Sequence, residues 1–460
     1  MNGIYKNLYD VVVVGGGVSG VAAAIAAART GAKTLVVEQT GYLGGTLTSC
    51  GVAPMMTFFA GDKQVIQGIM QEIVDRLTAR GSSCGHIEDT TRYVKYITPF
   101  DAEGLKLVLD EMVQEAGCEV LFHTFTGGVA REDRTISALA VCNKDGLHEL
   151  RAKVYIDATG DGDVMAWAGE ECTKGRPQDG AAQPMTMKMK YCNVDTAAMK
   201  GYIKAHLEEF PRLEHNLDLL ETDAPLAVAG FDALFRQAKE TGELSIPRED
   251  VLMFETCRPG EFVVNTTRLL NCDATDAVSL TRAELEGRRQ CAQLDRFFRT
   301  RVPGFQRALL EFTGPSVGVR GSRQLVGKYV LTADDVLTAK RFPSVIAHTG
   351  YPIDIHSPDG EGTATHYIGE NGGRTYYDIP YEVMVPRRTD NLLVTGRCVS
   401  VSFEAQASIR LTPSVGAMGQ AAGIAAALAA RNGVCVDNID ISELQRLLRE
   451  NGAYLETQPT

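Results

Sequence analysis

Apolar and polar positions along the chain predict buried strands alternating with helices. Val11 to Val14 are four consecutive valines, so Tyr9–Val14 reads as a strand buried on both faces. Val21–Thr30 is nearly all alanine, a helix whose small side chains can lie close to a sheet, and Gly31 ends it. Leu35–Val37 reads as a second buried strand. Helical spacing recurs over Val65–Thr78 and over Pro99–Ala116. The latter has Asp101 as N-cap, Glu103 and Glu111 facing outward and Gly117 as the stop. Glu119–Thr124 reads as a strand, Val129–Ala140 with His148–Ala152 as a hairpin turning at Asp145-Gly146, and Val154–Ala158 as a short buried strand.

Farther on, Met185–Tyr191 alternates with period two, and its methionines read as core. Asp195–Leu220 and Leu226–Glu243 are helical in pattern. Leu252–Thr256 and Phe262–Thr266 flank Arg258-Pro259-Gly260 as a hairpin, and Asp276–Phe298 is a long charged amphipathic helix. Val317–Val326 is strand-like. Tyr351–Pro358 is a strand between two prolines, Tyr376–Val385 an edge strand with Pro380, and Leu392–Thr395 a buried strand. A Gly/Ala-rich helix opens with Thr412 as N-cap and Pro413 as its first helical residue. Ser442–Asn451 is a final helix, and the tail after Tyr454 reads as loose.

The loop between the first strand and helix carries chemistry. Gly15, Gly17 and Gly20 fit G-x-G-x-x-G, with Val18 and Ser19 opening the helix, and Glu38 follows the second strand at the expected distance. The glycines let backbone N–H groups approach a pyrophosphate, the helix start offers positive partial charge, and the acid accepts from a ribose hydroxyl. Gln39 and the loop Gly41–Thr46 come next, where Gly44, Gly45 and Thr46 suit a backbone lying flat against a bulky cofactor. Cys50 has no second cysteine at redox spacing and reads as a packed small residue. A second landmark is Ala158-Thr159-Gly160-Asp161-Gly162-Asp163, a strand end that presents carboxylates and bare backbone. A third is Gly396-Arg397, followed by Gly416, Gly419, Gln420 and Gly423 in the Gly/Ala helix.

Bulk composition narrows the function. The 460 residues suffice for two or three domains. A net charge of −12 argues against nucleic-acid binding but leaves room for a local arginine cluster that holds an anionic substrate. No run of about 18 apolar residues and no signal peptide are read, so no membrane association is expected. The 11 cysteines lack C-x-x-C or metal-ligand spacing, so no metal is expected and reduced thiols in the cytoplasm are.

The remaining candidates belong to substrate chemistry. Arg320 and Arg323 lie among glycines and apolar residues, where an arginine normally has an anionic partner, and both are candidates for gripping a substrate carboxylate. His356, in Tyr351-Pro352-Ile353-Asp354-Ile355-His356, is the candidate general acid/base. Tyr351 and Arg374 are weaker candidates.

Taken in order, the three landmarks resemble a glutathione-reductase-type FAD-binding fold. With Leu43-Gly44-Gly45, Gly318-Val319-Arg320, the Tyr351–His356 segment and Asn391–Ser400, the chain resembles the bacterial FAD-dependent oxidoreductases over nearly its whole length. The implied fold class is α/β, a Rossmann-type FAD-binding domain with an inserted α+β substrate domain. Residues 1–169 would form the first part of the FAD-binding domain and 170–343 the substrate domain. Residues 344–460 would return to the FAD-binding domain and add C-terminal helices. The resemblance implies FAD as cofactor. Gly15, Gly17 and Gly20 would hold the pyrophosphate and Glu38 the adenosine ribose, with Gly44, Gly45 and Thr46 along the flavin. Thr159, Gly160 and Asp163 would edge the cofactor, and Gly396-Arg397 with the helix start near Gly416 would sit by the ribityl chain and ring. The expected reaction is hydride transfer between flavin N5 and a small organic substrate, with oxidation of a C–OH or C–N bond favoured. Reduction of an activated double bond, or service as an electron-transfer subunit, are the alternatives. A single G-x-G-x-x-G implies no second nucleotide domain, so oxygen or a separate carrier would close the cycle.

Overall fold

A computed structural model describes residues 4–213, 216–369 and 373–456. Its central sheet follows from the valine-rich runs. Leu8–Val14 pairs in parallel with Thr34–Val37 on one side and with the second half of Gly146–Asp157 on the other. Glu119–Leu121 extends the sheet beyond Thr34–Val37, and Leu392–Val394 extends it beyond Tyr155–Asp157. Val11 to Val13 are fully buried, as strands covered on both faces must be. The first half of Gly146–Asp157 turns away to pair antiparallel with Thr135–Asn143, which in turn pairs with Phe125–Glu132.

Helices cover the sheet. Val18–Arg29 packs lengthwise on Thr412–Asn432, and small residues permit the close approach. A Cβ at Gly419 would stand 2.1 Å from the Ser19 carbonyl oxygen, and one at Gly423 would stand 2.0 Å from that of Ala23. Ile69–Ala79 and Ala102–Glu115 complete this layer, the second capped by Asp101 as its sequence predicts.

A second sheet has five antiparallel strands, ordered Ala227–Gly230, Val251–Glu255, Phe262–Val264, Met189–Cys192 and Leu309–Thr313. Met185, Met187 and Met189 are buried in its core with Tyr191, Phe297 and Phe298, the last two from the long helix Ala277–Arg301.

Several expectations change where tertiary pairing overrides local pattern. Residues 65–68 are not helical, because Gly68 at φ +66° starts the helix late. Residues 129–140 are two strands reversing at Asp133, and 146–157 is one continuous strand. Residues 227–230 form a strand where a helix is expected, because the Val251–Glu255 edge captures them. Among the described residues the 195–220 pattern yields an α-helix only over Thr196–Ala205, followed by short 3-10 turns. Of Val317–Val326 only Arg323–Leu325 is a strand, and of Tyr376–Val385 only Tyr377–Pro380. Leu411 caps the Gly/Ala helix, so Thr412 and Pro413 are already helical. That helix is long and apolar enough to cross a membrane by length and composition, yet 94% of its apolar window is buried inside the protein. The tail is tied down as far as Glu456, whose backbone N–H donates to His348 Nε2. The expectation of a loose tail beyond it falls outside the described residues.

Candidate active site

The parallel strands end side by side, and the residues that follow them line a cavity of ≈ 890 Å³. That lies within the usual range for small-molecule and cofactor sites, at the carboxyl edge where open α/β sheets bind ligands. Gly15 and Gly17 come from the first strand, Glu38 and Gln39 from the second, Ala158–Gly160 from the third and Gly396-Arg397 from the fourth. Val18, Ser19, Gly45, Thr46 and Asp163 also face it.

Local structure here leaves room and donors for an anionic ligand. Gly15 adopts φ +104°, and a Cβ on it would stand 2.4 Å from the Ala158 carbonyl oxygen. Gly17 caps the Val18–Arg29 helix with no side-chain capping bond, so its first N–H groups are free for a ligand. The Glu38 carboxylate accepts from Gly16 N–H at 2.6 Å and from Thr40 N–H at 2.7 Å, and keeps acceptor capacity toward the cavity. Asp157 at the third strand end accepts from Thr159 N–H, Thr159 Oγ1 and Met165 N–H and so fixes that turn. Its burial raises its pKa to about 6. Arg397 lies over Gly160, where a Cβ would meet Nη1 at 2.6 Å, and pairs with Asp161 at 2.5 Å. Its Nε is buried without a hydrogen-bond partner among the described residues. These features fit a dinucleotide: a bare backbone turn, a free helix start, a ribose-accepting acid and an orphaned guanidinium N–H.

Another part of the cavity wall is cationic. His356 sits at the end of the Ile353–His356 strand, held by pairing with Thr363–His366. Its Nε2 lies 3.4 Å from Asp354 Oδ2, while Nδ1 accepts from Thr363 Oγ1 at 3.1 Å and, more weakly, from Arg268 Nη2 at 3.4 Å. That network assigns the Nε2–H tautomer. Burial and the nearby Arg320 push the His356 pKa down to about 3, so its imidazole is neutral near pH 7. Burial alone would raise Asp354, but His356 and Arg410 hold it well below the carboxylate range. Tyr351 donates to the same carboxylate at 3.4 Å, and burial beside Asp354 keeps its phenol protonated.

Arg320 donates through Nη1 to the Pro184 carbonyl at 2.5 Å and to Thr186 Oγ1 at 2.6 Å. Lys188 faces the cavity with burial and Arg320 forcing its pKa far down.

The structure thus brings His356, Tyr351 and Arg320 to one cavity and leaves Arg323 out. Arg323 pairs with Asp163 at 2.8 Å and donates to the Asp161 carbonyl, bracing the turn beneath the site. Arg374 is also elsewhere, paired with Asp378 and Glu456. Gly20, Gly44, Gly416, Gly419 and Gln420 do not line the cavity. Gly20 and Gly419 are spaces for backbone packing, a Cβ on Gly416 would strike Met70, and Gln420 accepts from Ile69 N–H. Of the Gly/Ala helix it is Thr412 and Val415 that reach the wall. Sequence reasoning passed over Lys188, Arg248, Arg268 and Arg410, which also line it. Each is isolated in sequence, and no local motif marks it.

The sequence model of the FAD dependent oxidoreductase family matches residues 10–448. A digeranylgeranylglycerophospholipid reductase of Thermoplasma volcanium is 26% identical over 177 residues, 35% of this chain and 42% of that protein. A thiamine thiazole synthase of Aeropyrum pernix is 30% identical over 181 residues, 36% of this chain and 61% of that one. The matched stretch therefore spans less than two thirds of either relative. A solved geranylgeranyl bacteriochlorophyll reductase-like protein from Thermoplasma acidophilum overlaps 97% of this chain and 84% of its own, with a TM-score of 0.49 at 14% identity.

Proposed function

This chain belongs to the FAD dependent oxidoreductase family, and from that premise we propose that it oxidises a C–OH or C–N bond of a small organic anion. Bound FAD supplies a hydride acceptor at N5. The carrying observation is that one cavity joins the dinucleotide turn to a neutral histidine and a buried arginine. Gly15, Gly17 and the free helix start would hold the pyrophosphate, and Glu38 the ribose. Arg320 would grip the substrate's anionic group and set the distance of the reacting carbon. His356 Nδ1 is the lone pair that can take the hydroxyl or amine proton, with Asp354 stabilising the resulting imidazolium through Nε2–H. The five-stranded sheet, which supplies Arg268 and Lys188 beside its strands, would form the substrate-binding part. Oxygen or a separate carrier would reoxidise the flavin. Free thiols at all 11 cysteines support a cytoplasmic setting.

Rapid mixing of the FAD-loaded protein with candidate alcohols and amines under anaerobic conditions tests this reading. His356→Ala should retain FAD and slow flavin bleaching by about 10²–10⁴-fold, the usual worth of a positioned base. Bleaching at the wild-type rate in that variant would remove His356 from the mechanism.

A further inference from the structure

Three buried or half-buried arginines line the cavity beside His356 without a carboxylate at ion-pair distance among the described residues: Arg268, Arg320 and Arg410, with Lys188, whose pKa is forced far down, beside them. They come from separate parts of the chain. Arg268 donates to the carbonyls of Gly360 and Gly362 and weakly to Thr363 Oγ1 and His356 Nδ1, Arg320 to the Pro184 carbonyl and Thr186 Oγ1, and Arg410 weakly to the Asp354 backbone carbonyl, all uncharged acceptors. Arg410 Nε is buried with no hydrogen-bond partner among the described residues. Guanidinium groups stay protonated even when buried, so three positive charges are fixed here. The other wall carboxylates offset them only weakly. Asp250 pairs with Arg248 and Glu284 with Arg288, while Glu249 is exposed. Asp232 is surrounded by Asp250, Glu209, Arg236 and Glu249. Asp354 is the carboxylate that acts on all three arginines, while Glu249 and Asp250 also act on Arg268, the first from the exposed surface and the second already paired with Arg248. Three positive charges thus share one buried, uncommitted negative charge and are two short of neutrality.

An isolated buried charge is costly, and a protein tolerates several only where a ligand completes them. The cofactor's phosphates have their own donors at the start of the Val18–Arg29 helix. A monocarboxylate would leave one charge unmatched. Inorganic phosphate concentrates its charge on one tetrahedral group, whereas these arginines reach in from dispersed elements, an arrangement that two separated carboxylates match.

We propose that this cluster binds a small organic dicarboxylate, with the redox carbon held between its two carboxylates or beside one of them. The inference rests on the reading of the chamber as a substrate site. The two negative charges bring the cluster to neutrality, and the bidentate forks of Arg268, Arg320 and Arg410 fix the ligand's orientation.

The test is equilibrium binding to the FAD-loaded protein at neutral pH and constant ionic strength. The readouts are perturbation of the flavin visible spectrum and the thermal midpoint. Succinate and malonate are compared with propionate, acetate and inorganic phosphate. The expected result is that a dicarboxylate binds at least about tenfold tighter than propionate, acetate and phosphate. Arg268→Gln and Arg410→Gln should each erase most of that preference, while Arg268→Lys keeps part of it. Equal affinity for succinate and propionate, or tighter binding of phosphate, overturns the proposal. So does a preference that survives both glutamine variants. If a variant loses FAD or fails to fold, the wild-type comparison decides alone. Flavin reduction is read separately. Reduction by a neutral substrate without any dicarboxylate preference would defeat this inference and leave the redox reading standing. Tight dicarboxylate binding with no flavin reduction by any substrate would do the reverse.

Discussion

At the scale of single residues, the site depends on where side chains are missing and on where charges are unmatched. Gly15 needs φ +104° and has the Ala158 carbonyl where a Cβ would go. Gly15→Ala should therefore yield a folded protein that purifies without bound FAD, read from its absorbance ratio; full occupancy would refute the cradle. His356 gives a pH signature. Its folded pKa of about 3 lies below the ordinary value near 6.5, so the unfolded chain binds the proton more readily. The neutral histidine's contribution is thus complete above about pH 6.5 and is lost as pH falls from there toward 3. Denaturant unfolding should show wild type losing stability on acidification faster than His356→Gln, and parallel slopes would contradict the assignment. For the same reason the wild-type rate profile should have no histidine limb near pH 6.5. Residue type alone pointed to His356, Tyr351 and Arg320. It could not separate Arg320 from Arg323, three positions away, because only folded geometry gives Arg323 its partner Asp163 and leaves Arg320 with neutral oxygens.

At the scale of elements, the glycines of the Thr412–Asn432 helix serve contact with another helix. Gly419 and Gly423 let it lie against Ser19 and Ala23 of the Val18–Arg29 helix. Added methyl groups there must move backbone, since no flexible side chain lies in the way. Gly419→Ala and Gly423→Ala should each cost about 1–3 kcal/mol, the range for overpacking a well-filled core. A thermal midpoint unchanged in both would show that the helices can separate at little cost. Its Gly/Ala run opening at Pro413 made this helix legible, as four consecutive valines did the first strand and Asp101 the cap of its own helix. The Ala227–Gly230 strand was not legible, because four small residues carry no decisive period and their partner lies more than twenty positions downstream.

At the scale of the whole molecule, the cavity is an assembly of loops from four strand ends and the five-stranded unit. FAD bound there would bridge Gly15–Ser19, Gly45-Thr46 and Thr159–Gly160. Removing it should lower the melting temperature and raise amide hydrogen exchange most in those three loops, since a ligand that binds only the folded form stabilises it. Uniform exchange changes across the chain would speak against a common binding cradle. The sequence by itself determined the nucleotide-binding half, because its signals are local: a strand, a glycine turn, a helix start and an acid within Tyr9–Glu38. Only the tertiary structure decided the cationic chamber. Arg268, Arg320 and Arg410 are far apart in the chain, and nothing local shows that their charges share one low-dielectric space with Asp354 as their common carboxylate. Burial and long-range proximity create that imbalance, and both are properties of the folded chain alone.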